Sequence, residues 1–112
     1  MIELVILRHL AENLEVPVYM ETPEEPPTEY VIIERTSSSK SNHISRATFA
    51  FQSYSDSLYD ACLLNDKLMI AADSLVEEKE IASSKLNNYY NFTDQTKKKY
   101  RYQAVYDLVY YD

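Results

Sequence analysis

Residues Ile44–Tyr54, ISRATFAFQSY, form the stretch that decides the fold. Their side chains alternate in polarity, with Ala47, Phe49 and Phe51 on one side and Arg46, Thr48 and Gln52 on the other. A period of two is that of a β-strand, because successive side chains of a strand point to opposite faces of the sheet. The stretch therefore predicts a strand whose phenylalanine face points into the core.

On the N-terminal side, the sequence predicts one helix and two strands. Apolar residues recur at helical spacing over residues 2–14, and Pro17 ends that helix. Val16–Met20 is predicted to be a short strand, and Glu21–Thr28, with three prolines and three glutamates, a stiff acidic loop. The apolar run of Tyr30–Arg35 indicates a strand that is covered on both faces.

On the C-terminal side, Ser57 is predicted to cap a helix that runs to about Val76. Its apolar stripe comprises Leu58, Ala61, Cys62, Leu68, Met69, Ala72, Leu75 and Val76. Two strands follow, Ile81–Phe92 and Lys99–Tyr111, joined by the polar link 93–98. The order α-β-β-β-α-β-β predicts an α+β fold, with a mainly antiparallel sheet of about five strands and both helices on one face.

Size and composition limit what the chain can be. It has 112 residues and a mass of 13.1 kDa, so we expect a single domain, 1–112. Glycine is absent, which removes every glycine-dependent phosphate-binding loop. Where the backbone needs a left-handed residue, Asn or Asp is expected to supply it.

The net charge of −7 is concentrated in residues 1–35, where eight acids face two arginines. An acidic surface repels phosphate backbones, so we expect no tight nucleic-acid binding. The single cysteine excludes an intrachain disulfide, which suits a reducing compartment. No apolar run of about 18 residues is present, so we expect a soluble, cytosolic protein without membrane contact.

No group of residues predicts catalysis, a metal site or a cofactor. His9, on a helix, and His43, beside a strand, lack the spacing of zinc ligands. Cys62 is expected to be buried and inert on the second helix. The acids Glu21, Glu24 and Glu25 lie in the exposed loop, where carboxylates are simply solvated.

Three other segments are candidates for binding. The run Lys97–Tyr102 interleaves bases with aromatic residues, as single-strand binders do, but the net charge of −7 and the shortness of the run favour a solvated hairpin tip. The polar loop 36–43, with a turn at Ser41–Asn42, is a candidate docking loop formed by Thr36, Ser37, Ser38, Ser39, Lys40, Ser41, Asn42 and His43. Tyrosines crowd the last two strands, at Tyr89, Tyr90, Tyr100, Tyr102, Tyr106, Tyr110 and Tyr111. They indicate either a subunit interface or an exposed sheet face rich in tyrosine.

Three stretches resemble a known family. They are the N-terminal helix running into residues 14–36, LEVPVYMETPEEPPTEYVIIERT; residues 42–68, NHISRATFAFQSYSDSLYDACLLNDKL; and residues 90–111, YNFTDQTKKKYRYQAVYDLVYY. Together they are similar to the small tail-terminator, or tail-completion, proteins of long-tailed bacteriophages of Gram-positive hosts. Strands and turns carry the similarity, and no catalytic signature is part of it.

The resemblance implies a non-enzymatic virion protein. Such proteins form a ring, typically a homohexamer, that terminates the tail tube and joins it to the head connector. The implied partners are further copies of the chain, the major tail-tube protein and the head connector or stopper protein. The implied location is the tail or neck of a virion assembled in the bacterial cytoplasm. DNA passes through such a ring, and Glu21, Glu24 and Glu25 are candidate lumen acids that would repel it.

Other classes remain open at this point. A different neck component is possible, namely an adaptor, a stopper or a minor capsid protein, and a predominantly helical structure would favour an adaptor. A small metal-dependent nuclease would need several acids and a lysine in one pocket. A regulatory binding module of the host is the third alternative.

Overall fold

The computed structural model describes residues 1–97 and 99–111, and its fold is α+β. Along the chain the elements are α1 (Ile2–Asn13), β1 (Val18–Tyr19), β2 (Tyr30–Ser41), β3 (Ile44–Ser55), α2 (Leu58–Asp73), a 3₁₀ segment (Ser74–Glu77), β4 (Ile81–Asn91) and β5 (Tyr100–Tyr111). The predicted element order is therefore confirmed. None of the described helices is long and apolar enough to cross a membrane.

The five strands form one sheet in the order β1-β2-β3-β5-β4. All neighbours are antiparallel except β1, which pairs in parallel with Val31 and Ile32 of β2. This first strand is shorter than predicted, because its pairing is limited to Val18 and Tyr19. The strand β3 lies between β2 and β5 and aligns Phe49 with Tyr106.

The core lies between the sheet and the two helices, which cover the same face. Phe49 and Phe51 are fully buried there, as predicted, together with Ile6 and Leu10 of α1 and Leu68 of α2. We call this side the helix-covered face and the other side the helix-free face. Along β3, odd-numbered residues contribute to the helix-covered core and even-numbered residues belong to the helix-free face.

The helix α2 begins as predicted and ends earlier. The Ser57 hydroxyl accepts a hydrogen bond from the Asp60 backbone N–H at 3.1 Å, which satisfies one free donor of the first turn. The α-helix ends at Asp73 and tightens into the 3₁₀ segment. Two residues of the predicted apolar stripe, Leu58 and Val76, are exposed because they lie at the ends where the helix leaves the sheet.

The prediction of a loop at residues 36–43 is wrong for residues 36–41, because these residues continue β2 as a strand. After a bulge between Arg35 and Ser37, β2 pairs with β3 as far as Ser41 and Ile44. The turn is Asn42–His43 rather than Ser41–Asn42, and both residues have positive φ, 51° and 66°. Two such residues make the hairpin turn that matches the twist of the strands. Serine has little strand preference, so the backbone pairing with β3 overrides local composition.

Candidate interaction surface

The strand β4 is an outer edge of the sheet, and within the described residues only β5 pairs with it. Every residue from Lys85 to Asn91 is exposed. Residues 86–93, LNNYYNFT, include no charged residue. Two bulges interrupt the strand, but charges and prolines, the usual protection of an edge, are missing from this stretch. Its unpaired backbone groups and aromatic side chains suit pairing with another strand.

The predicted tyrosine interface divides into two groups. Tyr89, Tyr90, Tyr100 and Tyr111 are exposed and remain candidates for an interface, and Tyr102 is half-buried. Tyr106 and Tyr110 are buried, so placing them in an interface was wrong. The even-numbered residues of β5 do share one face, as predicted, but α2 covers that face from Ala104 onward.

Tyr106 is the largest fully buried side chain. Its hydroxyl donates to the carboxylate of Asp73 at 2.7 Å and lies 3.1 Å from the carbonyl oxygen of Met69. Burial raises the pKa of the Tyr106 hydroxyl above its ordinary value, and the hydrogen bond to Asp73 and the charge of Asp73 add to this. The residue therefore holds α2 on β5 as a neutral hydroxyl.

A second edge is free along β2. Because β1 pairs with Val31 and Ile32 alone, the described residues 33–41 have no strand on their outer side. This edge is protected differently from β4: it carries Glu34, Arg35 and Lys40 and has a bulge near Thr36. The sheet therefore ends in one polar edge, along β2, and one edge, along β4, that carries no charged residue from Leu86 to Asn91.

The helix-free face is polar and internally hydrogen-bonded. Gln52 donates to Gln103 at 2.9 Å, and Gln103 donates to the Tyr90 hydroxyl at 2.7 Å. The Arg101 guanidinium donates to the Tyr54 hydroxyl at 3.0 Å. These bonds hold amide and hydroxyl side chains of β3, β5 and β4 in fixed positions. The side chains of the helix-free face are therefore ordered although no helix packs on them.

The predicted acidic loop is exposed at one end of this face. Glu21, Glu24 and Glu25 are all exposed. Thr22 and Pro26 of the loop line a cleft of about 310 Å³ beside Tyr30, Tyr54 and Arg101. The lumen role of these acids remains a prediction.

The basic run Lys97–Tyr102 is partly committed to internal contacts, and its member Lys98 lies outside the described residues. The Lys99 ammonium donates to Asp56 at 2.9 Å and to the carbonyl oxygen of Thr28, and lies over the Tyr30 ring. Arg101 packs against the rings of Tyr54 and Phe92. These contacts favour the hairpin-tip interpretation, since two of the cations already tie the end of the sheet together.

His9 is buried rather than on an open helix face. Its Nε2 lies 2.8 Å from the Ser74 hydroxyl and its Nδ1 2.7 Å from Glu78. This order of groups is the one acyl-transfer enzymes use. However, the Ser74 hydroxyl donates its hydrogen to the carbonyl oxygen of Ala71 at 2.8 Å, so we interpret the trio as a tie between α1 and the 3₁₀ segment.

The other chemically active side chains are scattered. Cys62 is half-buried beside the Tyr102 hydroxyl, so its predicted full burial was wrong. The predicted turn residue His43 is exposed. Within residues 1–97 and 99–111, no three His, Cys, Asp or Glu side chains come together in a way that could hold a metal ion.

Comparison with known proteins does not indicate what this surface binds. The sequence matches no protein-family model, and a search of curated proteins gives no significant match.

The β4 edge was not singled out from the sequence, although the charge-free run 86–93 is the signal that could have revealed it.

Proposed function

We propose that the chain is a non-enzymatic structural protein of a phage virion, forming a ring that terminates the tail tube and joins the tail to the head connector. The resemblance of three stretches to tail-terminator proteins supports this proposal. The structural observation that supports it most directly is the exposed β4 edge, whose residues Leu86–Asn91 lack the charges and prolines that usually keep an edge from pairing with another strand. Another copy of the chain is the simplest cover.

The geometry of the two edges suits a ring. Alternating antiparallel pairs make β4 run opposite to β2, so β4 of one copy can pair antiparallel with β2 of the next. Such a contact joins different surfaces of the two copies. Head-to-tail contacts of this kind close into rings when the rotation between copies permits closure.

The alternatives have less support. A predominantly helical structure would have favoured an adaptor, whereas strands outnumber helices among the described residues. The free edges would equally suit a stopper or minor capsid protein, so those roles differ from the proposal only in position within the neck. The nuclease alternative has no observation in its favour.

Negative-stain imaging of the purified protein with its tail-tube protein tests the proposal. We expect rings at one end of tubes of limited length. The double variant Leu86→Lys/Tyr89→Lys should lose the rings, because lysines on an edge oppose strand pairing. The matched control Tyr59→Lys changes an exposed aromatic residue on α2 and should keep them. Tubes that grow equally long with and without the wild-type protein would contradict the proposal.

A further inference from the structure

The helices leave part of β4 uncovered on the helix-covered face. Leu86 and Tyr89 belong to this face, because they pair with Tyr106 and Ala104, which lie in the core. The helix α2 approaches β4 near its start, where the Ser84 hydroxyl donates to a carbonyl oxygen of α2 at 2.8 Å. Further along the strand, Leu86 is 41% exposed and Tyr89 is 50% exposed. We call Leu86 and Tyr89 the open strip.

The helix α1 has an apolar flank on the side away from α2. His9 marks the side that faces the end of α2, because its Nε2 lies 2.8 Å from the Ser74 hydroxyl. Leu4, Leu7 and Ala11 are spaced by three and four residues, so at about 100° per residue they form one stripe opposite His9. Leu4 is 56% exposed, Ala11 is exposed and Leu7 is half-buried. We call these three residues the α1 flank.

The α1 flank and the open strip lie at the same level of the sheet, on opposite sides of it. Arg35 of β2 donates to Glu3 at 2.6 Å, which places the start of α1 beside β2. Arg35 aligns with Phe49 of β3. Phe49 aligns with Tyr106, and Tyr106 aligns with Leu86. When β4 of one copy lies against the β2 side of the next copy, with the same face covered by helices, the strip therefore comes under the flank.

The charged groups that border the two surfaces have opposite signs. The Arg8 side chain, beside the α1 flank, is 58% exposed, and its ion pair with Glu78 is 3.7 Å long. Asp66 of α2 and Tyr89 of the open strip both lie close to the Tyr102 hydroxyl. Asp66 forms no ion pair with another described residue. A cation beside the flank can therefore meet a carboxylate beside the strip.

We propose that the α1 flank of one copy covers the open strip of the adjacent copy in the ring. Leu4 packs on the Tyr89 ring, and Arg8, one helical turn further on, faces Asp66. The contact rests on the proposed ring and adds a layer of helix on sheet to the pairing of strand edges. Both surfaces are apolar at their centre, so burying them leaves no charge without a partner. The ion pair at the border fixes which side of a copy meets which.

Thiol cross-linking tests the contact. In a Cys62→Ser background, Leu4→Cys marks the flank and Tyr89→Cys marks the strip. A short bis-maleimide joins them, because facing residues of a helix and a sheet lie farther apart than a disulfide allows. The variant with both cysteines should give a ladder of dimers, trimers and larger species, whereas a mixture of the two single variants should stop at dimers.

The reaction is run on the isolated protein and on protein bound to tail tubes. Labelling each single variant with a maleimide dye shows that its thiol can be reached. No ladder in either case, or equal dimers from one single variant alone, would overturn the contact. Rings that cap tubes without the cross-link would refute this contact and leave the proposed function standing. A ladder from a protein that never binds tubes would do the reverse.

Charge exchange gives an independent readout. Arg8→Asp should reduce the cross-linked fraction severalfold, and adding Asp66→Arg should restore most of the loss. Arg46→Asp, the same charge change at an exposed residue of the helix-free face, is the control and should leave the ladder unchanged. Equal losses in Arg8→Asp and Arg46→Asp, or no recovery in the double variant, would overturn the pairing of Arg8 with Asp66.

Discussion

At the residue scale, two buried polar side chains stand out for opposite reasons. Tyr106 has its hydroxyl hydrogen-bonded to Asp73, so its burial costs little. Asn65 is fully buried on α2, and neither its amide nitrogen nor its amide oxygen has a hydrogen-bond partner. A buried amide without partners destabilises the folded state. Each residue therefore gives a prediction.

Because of Tyr106, we expect the folded protein to lose stability in alkaline solution. In the unfolded chain tyrosine ionises near pH 10, whereas the raised pKa keeps Tyr106 neutral when folded. Its contribution is therefore complete below about pH 10 and falls above it, by roughly 1 kcal/mol between pH 10 and pH 11. Urea unfolding at both pH values should show a smaller loss for Tyr106→Phe than for wild type. The exposed control Tyr59→Phe should retain the wild-type loss, and an equal loss in both variants would contradict the prediction.

Replacing Asn65 by leucine should stabilise the protein. The substitution removes both unpartnered atoms, which is worth about 1–3 kcal/mol if the larger side chain fits. Chemical denaturation measures the difference. Asn88→Leu on the exposed β4 strand is the control, and we expect it to stay within about 0.5 kcal/mol of wild type. A clear loss of stability in Asn65→Leu would contradict the prediction.

At the element scale, the hairpin of β2 and β3 shows which structural features can be predicted from the local sequence and which cannot. The alternation in β3 and the Ser57 cap were predictable because each depends on neighbouring residues alone. The serines of β2 were assigned to a loop because their strand structure depends on pairing with β3. Tyr106 was placed in an interface for a similar reason, since only the position of α2 shows that its face is covered. The charge-free run 86–93 is visible in the sequence, but its position at the edge of the sheet depends on the strand order, which no local pattern contains.

The turn of this hairpin is under backbone strain that glycine would relieve. Positive φ disfavours a residue with a Cβ atom by about 1–2 kcal/mol, and asparagine tolerates it better than histidine. We expect His43→Gly to raise the unfolding free energy by about 0.5–1 kcal/mol, since Asn-Gly is the preferred pair in such turns. His43→Ala keeps the Cβ and is the control without this gain. Thermal unfolding compares the two, and equal stability would argue against the strain.

At the scale of the whole molecule, the repulsion between acidic residues opposes assembly through apolar contacts. The acids of residues 1–35 repel one another, and the proposed ring would bring the same acids of several copies together. Repulsion of this kind is screened over about 8–10 Å at ordinary salt concentrations, whereas apolar contacts do not weaken with salt. Assembly through β4 should therefore be favoured by added salt.

The lumen prediction for the acidic loop belongs to this scale. If the loop lines the channel, Glu21→Gln/Glu24→Gln/Glu25→Gln should give tails that assemble but deliver DNA poorly, because the wall no longer repels phosphate. Plaque counts and particle counts on the same preparations separate delivery from assembly. The control triple, Glu12→Gln/Asp66→Asn/Glu77→Gln, removes three exposed charges elsewhere. Normal infectivity of the loop variant would leave these acids with a role in solubility alone.

The position of β5 also sets the order in which the fold can be made. It is the last of the five strands to leave the ribosome, yet it lies between β3 and β4 and is the sole described link between them. Until Tyr100–Tyr111 has been synthesised, a nascent chain can form the local β2–β3 hairpin, but β4 has no strand to join. A product truncated before Tyr100 leaves β4 unpaired on both sides. The sheet with β4 as its outer edge, which is the form proposed for assembly, is therefore complete only on chains that have been translated through β5.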